Sequence, residues 1–240
     1  MGREELAQKL VDFGFTDMAT ECQNGTLGED EARNLLFLSY DTVRSSELIK
    51  SRHRRKQQKR LTKAKHSYEV ACKAISRLMN EYSAPLAEGT ESHNILRNSI
   101  QALKRALDLN PEAWGAMWFI GKAYQMLGND EVSLHWFEKA AEENPAHPAV
   151  LREAGIQAAK VGNGKSAEKY TLAALSVRTN DAGLMSNLAL ALLIQGRVEE
   201  ARSAVEDAIS RDANDEVTQS VLKLVKEVQD GECECPDRVV

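Results

Sequence analysis

The sequence is poor in nearly everything that interrupts a helix. It has five prolines in 240 residues, and its fourteen glycines are scattered rather than clustered. Proline removes a backbone donor and glycine adds entropy to the unfolded chain, so their scarcity leaves room for long helices. Alternating runs of Val, Ile and Thr, the mark of strands, are missing. No apolar run approaches the ~20 residues that a bilayer span requires, so no transmembrane segment is expected. Four cysteines in a chain this long do not make a disulfide framework, which points to a reducing, cytoplasmic setting. The opening MGREELAQKL is too charged for a secretory signal, and it has Leu6 where a myristoylation signal has Ser or Thr.

What is present is helical. Ala, Leu, Glu, Lys and Gln dominate, and these residues lose little on entering a helix. With 42% hydrophobic and 28% charged residues, the composition suits a folded globular protein rather than a disordered one. The net charge of −5 conceals an asymmetry. Residues 1–47 carry ten acids and four bases, whereas 48–65 carry nine bases and no acid. The basic residues include Arg52, Arg54, Arg55, Lys56, Lys59 and Arg60. They are candidates for holding an anionic partner, nucleic acid or a membrane surface. The alternative is a solvated helix face, since the stretch lacks the interleaved aromatics on which single strands stack.

A 34-residue period organises the second half. Gly128, Gly162 and Gly196 share it, as do Ala106, Ala140, Ala174 and Ala208. Ser99, Ser133, Ala167 and Ala201 form another column; Gly121, Gly155 and Ala189 a fourth; Pro111 and Pro145 a fifth. Glycine at 128, 162 and 196 suits a left-handed helix end, and the small residues suit close helix crossings. The unit is therefore helix, short turn, helix, short turn.

In this register MWFIGKAYQMLGNDEVSLHWFEKAAEENP, starting at Met117, resembles a tetratricopeptide repeat through Ile120, Gly121, Tyr124, Gly128, Phe137, Ala140 and Pro145. Two further units follow from Leu151 and Met185, with half a unit before and a capping helix near 215–229 after. The resemblance, covering residues 92–230, implies an all-α fold, a right-handed superhelical stack of antiparallel helix pairs. The expected organisation is an N-terminal helical region over 1–90, repeats and cap over 91–230, and a flexible tail over 231–240. In the N-terminal region Leu6, Leu10 and Phe13 fall on one helical face, and GEDEARNLLFLSYDTV opens with acids as a helix does.

The repeats decide the meaning of AKVGNGKS at 159–166. It is one residue from the phosphate-cradling G-x-x-x-x-G-K-[ST], but its first position is Ala159 and its place in the period is an inter-helix turn. No nucleotide is expected there. The five histidines have no metal-ligand spacing, and Cys233 and Cys235 are at most half of a zinc site. Neither a cofactor, a metal nor a catalytic constellation is expected.

The family resemblance implies a non-catalytic scaffold that holds a peptide or partner helix against the first helix of each unit. The lining it implies is Trp118, Lys122, Gln125 and Met126 from the first unit and Arg152, Ile156 and Lys160 from the second. The third unit would add Ser186, Leu190, Leu193 and Ile194. Such a surface, basic at one end and aliphatic at the other, suits a segment with acidic and apolar residues.

Overall fold

In a computed structural model the protein is described over residues 2–12, 15–36 and 53–239, the side chains of 53–58 excepted. Phe13 and Arg52 lie outside the described residues. All regular structure among the described residues is helical. The chain forms two compact units, Met1–Asn129 and Asp130–Val240.

The first unit contains α1 (Arg3–Asp12), α2 (Thr16–Gln23), α3 (29–36), α4 (His53–Glu81), α5 (Glu91–Leu107) and α6 (Trp114–Met126). α1 packs on α2, and α4 packs along α5 and reaches α6. Leu6 and Leu10 are fully buried, as their shared face requires. The basic stretch runs into α4. Lys59 and Arg60 are exposed, while Lys65 places its ammonium 3.9 Å from the centre of the Phe15 ring. Burial lowers the Lys65 pKa, against the pull of Glu69. Further along α4, Lys73 pairs with Glu21 and Ser76 bonds Glu31. The acidic N-terminal segment thus meets the helix after its basic stretch.

The second unit contains α7 (Asp130–Glu143), α8 (Pro148–Lys160), α9 (Gly164–Val177), α10 (Ala182–Ile194), α11 (Val198–Arg211) and α12 (Glu216–Gln229). α8 pairs with α9 and α10 with α11; α10 also touches α8 and α12. The small-residue columns are the helix crossings. Ala140, Ala174, Ala189, Ala201 and Ala208 are fully buried. A Cβ added at Gly155 would stand 2.8 Å from Thr171 Oγ1, which shows how closely α8 and α9 approach.

Caps define where these helices begin. His147 Nδ1, Asp181 Oδ1 and Asp215 Oδ2 each accept the N–H three residues ahead, at 3.4, 3.0 and 2.8 Å. These positions are also 34 apart, and a cap contributes about 1 kcal/mol to its helix. Since Asp215 shares this register, α12 begins as α8 and α10 do. It is the first helix of a further, half-complete unit.

The turns are tied by a polar cluster. Arg197 holds Glu168 through two contacts of 2.7 and 2.8 Å and Glu200 through two of 2.6 and 2.7 Å. Gln195 donates to Glu168 at 2.9 Å and to the Gly164 carbonyl at 3.1 Å. The Gln195 bond, opposed by desolvation and reinforced by Arg197, holds the Glu168 carboxyl below its usual range.

Candidate functional site

The surface implied for partner binding lies on the first helix of each unit, and the structure sorts its residues. On α8, Arg152, Ile156 and Lys160 follow one another at helical i, i+4 spacing. Arg152 is exposed, and Ile156 and Lys160 are half-buried. On the neighbouring α10, Leu190 and Ile194 are half-buried too. These half-buried aliphatics and the two α8 cations, on two helices in contact, are the candidate strip.

Ser186 does not belong to that strip, although it precedes Leu190 by one helical turn. It is fully buried, with its hydroxyl 2.7 Å from Thr218 Oγ1 on α12. As a further first helix, α12 covers the part of α10 that α10 would otherwise present. Leu193 is also fully buried, packed with Ala189, Leu192, Ala201, Val205, Val221 and Val225. Both residues hold the stack together and are not available to a partner.

In the first unit Trp118, Lys122 and Gln125 are half-buried on α6. The Trp118 ring meets Phe119 edge-on at 5.0 Å, and Lys122 Nζ lies 5.8 Å from the centre of the Trp118 ring. Lys122 also donates to Gln125 Oε1 at 2.9 Å. The indole N–H of Trp118 is buried with no partner among the described residues. Met126 is buried at 8% exposure, so its side chain is core rather than lining. Its carbonyl accepts the N–H of Leu86 at 2.8 Å.

The GNGKS turn is a helix boundary. Ala159 lies within α8, Gly162 has φ +78°, and Asn163 Oδ1 caps α9 by accepting from Ser166 N–H at 3.1 Å. Gly164 begins α9 and Lys165 is exposed. With the first position inside a helix, the backbone cannot wrap a phosphate.

Burial pushes the Cys72 thiol and the Tyr68 hydroxyl well above their ordinary ranges. Desolvation, with Glu138 and Glu142, raises Tyr170 to about 12. Among the described residues no three His, Cys, Asp or Glu side chains converge on a metal position. None of the described helices is long and apolar enough to cross a membrane.

The tail departs from expectation. Residues 236–239 are not a free extension but lie against the second unit, with Val239 N–H donating to the Ala159 carbonyl at 3.1 Å. A backbone bond to the end of a helix leaves no side-chain pattern, so the sequence carries no sign of it.

Comparison with known proteins agrees with this architecture. No curated protein matches the sequence. Among solved structures, a crystal structure of MamA superposes with a TM-score of 0.57 at 16% identity, covering 70% of this chain and 82% of that one. MamA 41-end from Desulfovibrio magneticus RS-1 gives 0.56 at 17% identity, covering 68% and 86%. YrrB, described as a TPR protein with an unusual peptide-binding site, gives 0.51 at 18% identity, covering 65% and 84%. At these identities the likeness is one of fold. The family profile described as "Tetratricopeptide repeat" matches residues 94–148 and 152–216, half of the chain. With that profile running through the same turns and helix crossings that the structure displays, the chain belongs to the tetratricopeptide repeat family.

Proposed function

We propose that the protein is a non-catalytic interaction scaffold that holds a segment of another protein along the first helices of its repeats. The observation that carries this reading is the strip of Ile156, Leu190 and Ile194 on neighbouring helices, flanked by Arg152 and Lys160. Half-buried aliphatics give a partner apolar anchors at little cost in ordering. The two cations select against a basic partner and favour acidic side chains beside its apolar ones. A segment lying across α8 and α10 touches two repeats at once. Trp118, Lys122 and Gln125 are proposed as the corresponding surface of the first unit. The protein-binding character of the family supports this assignment, and YrrB is a relative in fold whose description includes a peptide-binding site.

The test begins with affinity capture from lysate of the organism of origin, followed by calorimetry with the purified interactor. Ile156→Asp combined with Leu190→Asp should weaken binding at least tenfold, about 1.4 kcal/mol. Trp118→Ala tests the first-unit residues in the same assay. Helical content by circular dichroism should stay near wild type. Normal binding by the double variant, together with loss on reversing Lys59 and Arg60, would transfer the function to the basic helix α4.

A further inference from the structure

The second unit already has a segment lying against the end of α8, on the cluster that Ile194 packs on, and the segment is its own. Val239 N–H donates to the Ala159 carbonyl in the last turn of α8 at 3.1 Å. The Val239 side chain packs on the cluster of Leu134, Ala158, Ala159, Ala167 and Ala191, and Ile194 packs on the same cluster. Two residues earlier, the Asp237 carbonyl lies over the turn. A Cβ at Gly162 would stand 2.6 Å from it, closer than real contacts allow. Gly162 therefore answers two demands, a φ of +78° and the close passage of another backbone.

A second, independent contact in the first unit has the same form. There Leu86, following Pro85, donates its N–H to the Met126 carbonyl, and Gly128 would bring a Cβ within 3.5 Å of Pro85 Cβ. Gly128 and Gly162 are equivalent in the 34-residue register, the acceptor carbonyls lie one position apart in it, and each segment has a proline, Pro85 just before Leu86 and Pro236 three residues before Val239. The end of a repeat's first helix thus receives a non-helical segment in both units. The Gly196 turn, by contrast, has nothing within 4 Å of its Cβ position.

We infer that residues 236–239 are an intramolecular ligand, which occupies the Ile194 end of the partner surface and must be displaced by an incoming segment. This inference rests on the proposed scaffold function and names what competes with the partner. The tail has the chemistry expected of that partner. Glu232, Glu234 and Asp237 are acidic, Arg238 is basic, Val239 is the apolar anchor, and the Ala159 carbonyl it bonds adjoins Lys160. The partner class is accordingly a segment with a free backbone N–H and an aliphatic β-branched side chain, with acidic residues preceding them. A tether of a few residues holds the tail at an effective concentration of order millimolar, so a free segment must exceed that to compete.

Val239→Asp in the full-length chain tests the inference, because it changes the tail and leaves every repeat residue intact. Hydrogen exchange at residue 239 should be slowed at least tenfold in the wild-type chain and approach the free-peptide rate in V239D. A fluorescein-labelled peptide of residues 232–239, kept reduced, should bind V239D at least tenfold more tightly than wild type. An unprotected Val239 amide in the wild-type chain, or equal peptide affinity for the two chains, overturns the inference. The outcome is separable from that of the scaffold reading. Loss of partner binding in the Ile156 and Leu190 variant with an unprotected tail removes only the intramolecular ligand. A protected, displaceable tail with unchanged partner binding in that variant removes only the partner surface.

Discussion

Replacing Gly162 by Ala, with Gly196→Ala as its reference, separates the two demands made on Gly162. Both glycines are left-handed, with φ +78° and +71°, so each substitution incurs the strain of about 1–2 kcal/mol that an L residue suffers there. Only at Gly162 does the new methyl group also meet a backbone atom, the Asp237 carbonyl at 2.6 Å. Asp237 has to move, and the Val239–Ala159 bond goes with it. That bond has a net worth of about 1 kcal/mol. The half-buried valine contributes roughly 1 kcal/mol more. Because the tail can simply leave, this sum of roughly 2 kcal/mol is an upper limit on the additional loss. Gly162→Ala should therefore lower stability by about 1–2 kcal/mol more than Gly196→Ala in urea unfolding, with unchanged slopes. In a double-mutant cycle with Val239→Asp the excess should vanish, since a detached tail has nothing further to lose. Equal losses for the two alanines, or an excess that persists in the cycle, would refute the account of the 2.6 Å contact.

Three other outcomes are expected. Gly155→Ala should destabilise by about 1–3 kcal/mol through overpacking against Thr171 Oγ1, and adding Thr171→Ala should recover part of the loss; thermal melts of the single and double variants check this. The Glu168 carboxyl has a lowered pKa, so its contribution to stability is present above the unfolded carboxyl value and is lost as pH falls through the folded one. Glu168→Gln should accordingly flatten the acid limb of a stability–pH curve, and an unchanged limb would show that the cluster around Arg197 does not couple to folding. Lys165→Ala should leave stability unchanged, and calorimetry with ATP or GTP and magnesium should show no binding to either chain; a stoichiometric affinity abolished by the substitution would restore the phosphate-loop reading of 159–166.

Parts of this structure were legible because one residue type alone satisfies the geometry. Glycine at 128, 162 and 196 and alanine at 140, 174 and 208 mark left-handed turns and fully buried crossings, and both recur without exception. The caps at His147, Asp181 and Asp215 obey the same period and could have been found by the same search, above all the two aspartates 34 residues apart. Which face of α10 points outward was less legible. Leu188, Leu190, Leu192, Leu193 and Ile194 make this helix apolar nearly all round, so its periodicity carries no orientation. Leu193 was accordingly misplaced beside Leu190, and Ser186 was misplaced because α12 covers it. The tail was illegible for a different reason. Its anchors are a backbone N–H and a single valine, neither of which imposes a pattern on the sequence.

The landing place of that tail makes it sensitive to the number of repeats. Nine residues separate Gln229, the last of α12, from Val239, and they bring the chain to the turn at Gly162. The seat beneath Val239 is made by Leu134, Ala158, Ala159, Ala167 and Ala191. One period later the corresponding positions are Glu168, Leu192, Leu193, Ala201 and Val225, a carboxylate and bulkier side chains where the first set has a leucine and alanines. Lengthening the stack by one 34-residue unit ahead of α12 would set the same tail down on Glu168, Leu192, Leu193 and Ala201, with Val225 carried away on α12, and the valine finds no matching hollow there. The tail thus works as a gauge cut to a single length, and a chain that gained or lost a unit would release it without any change in the tail itself.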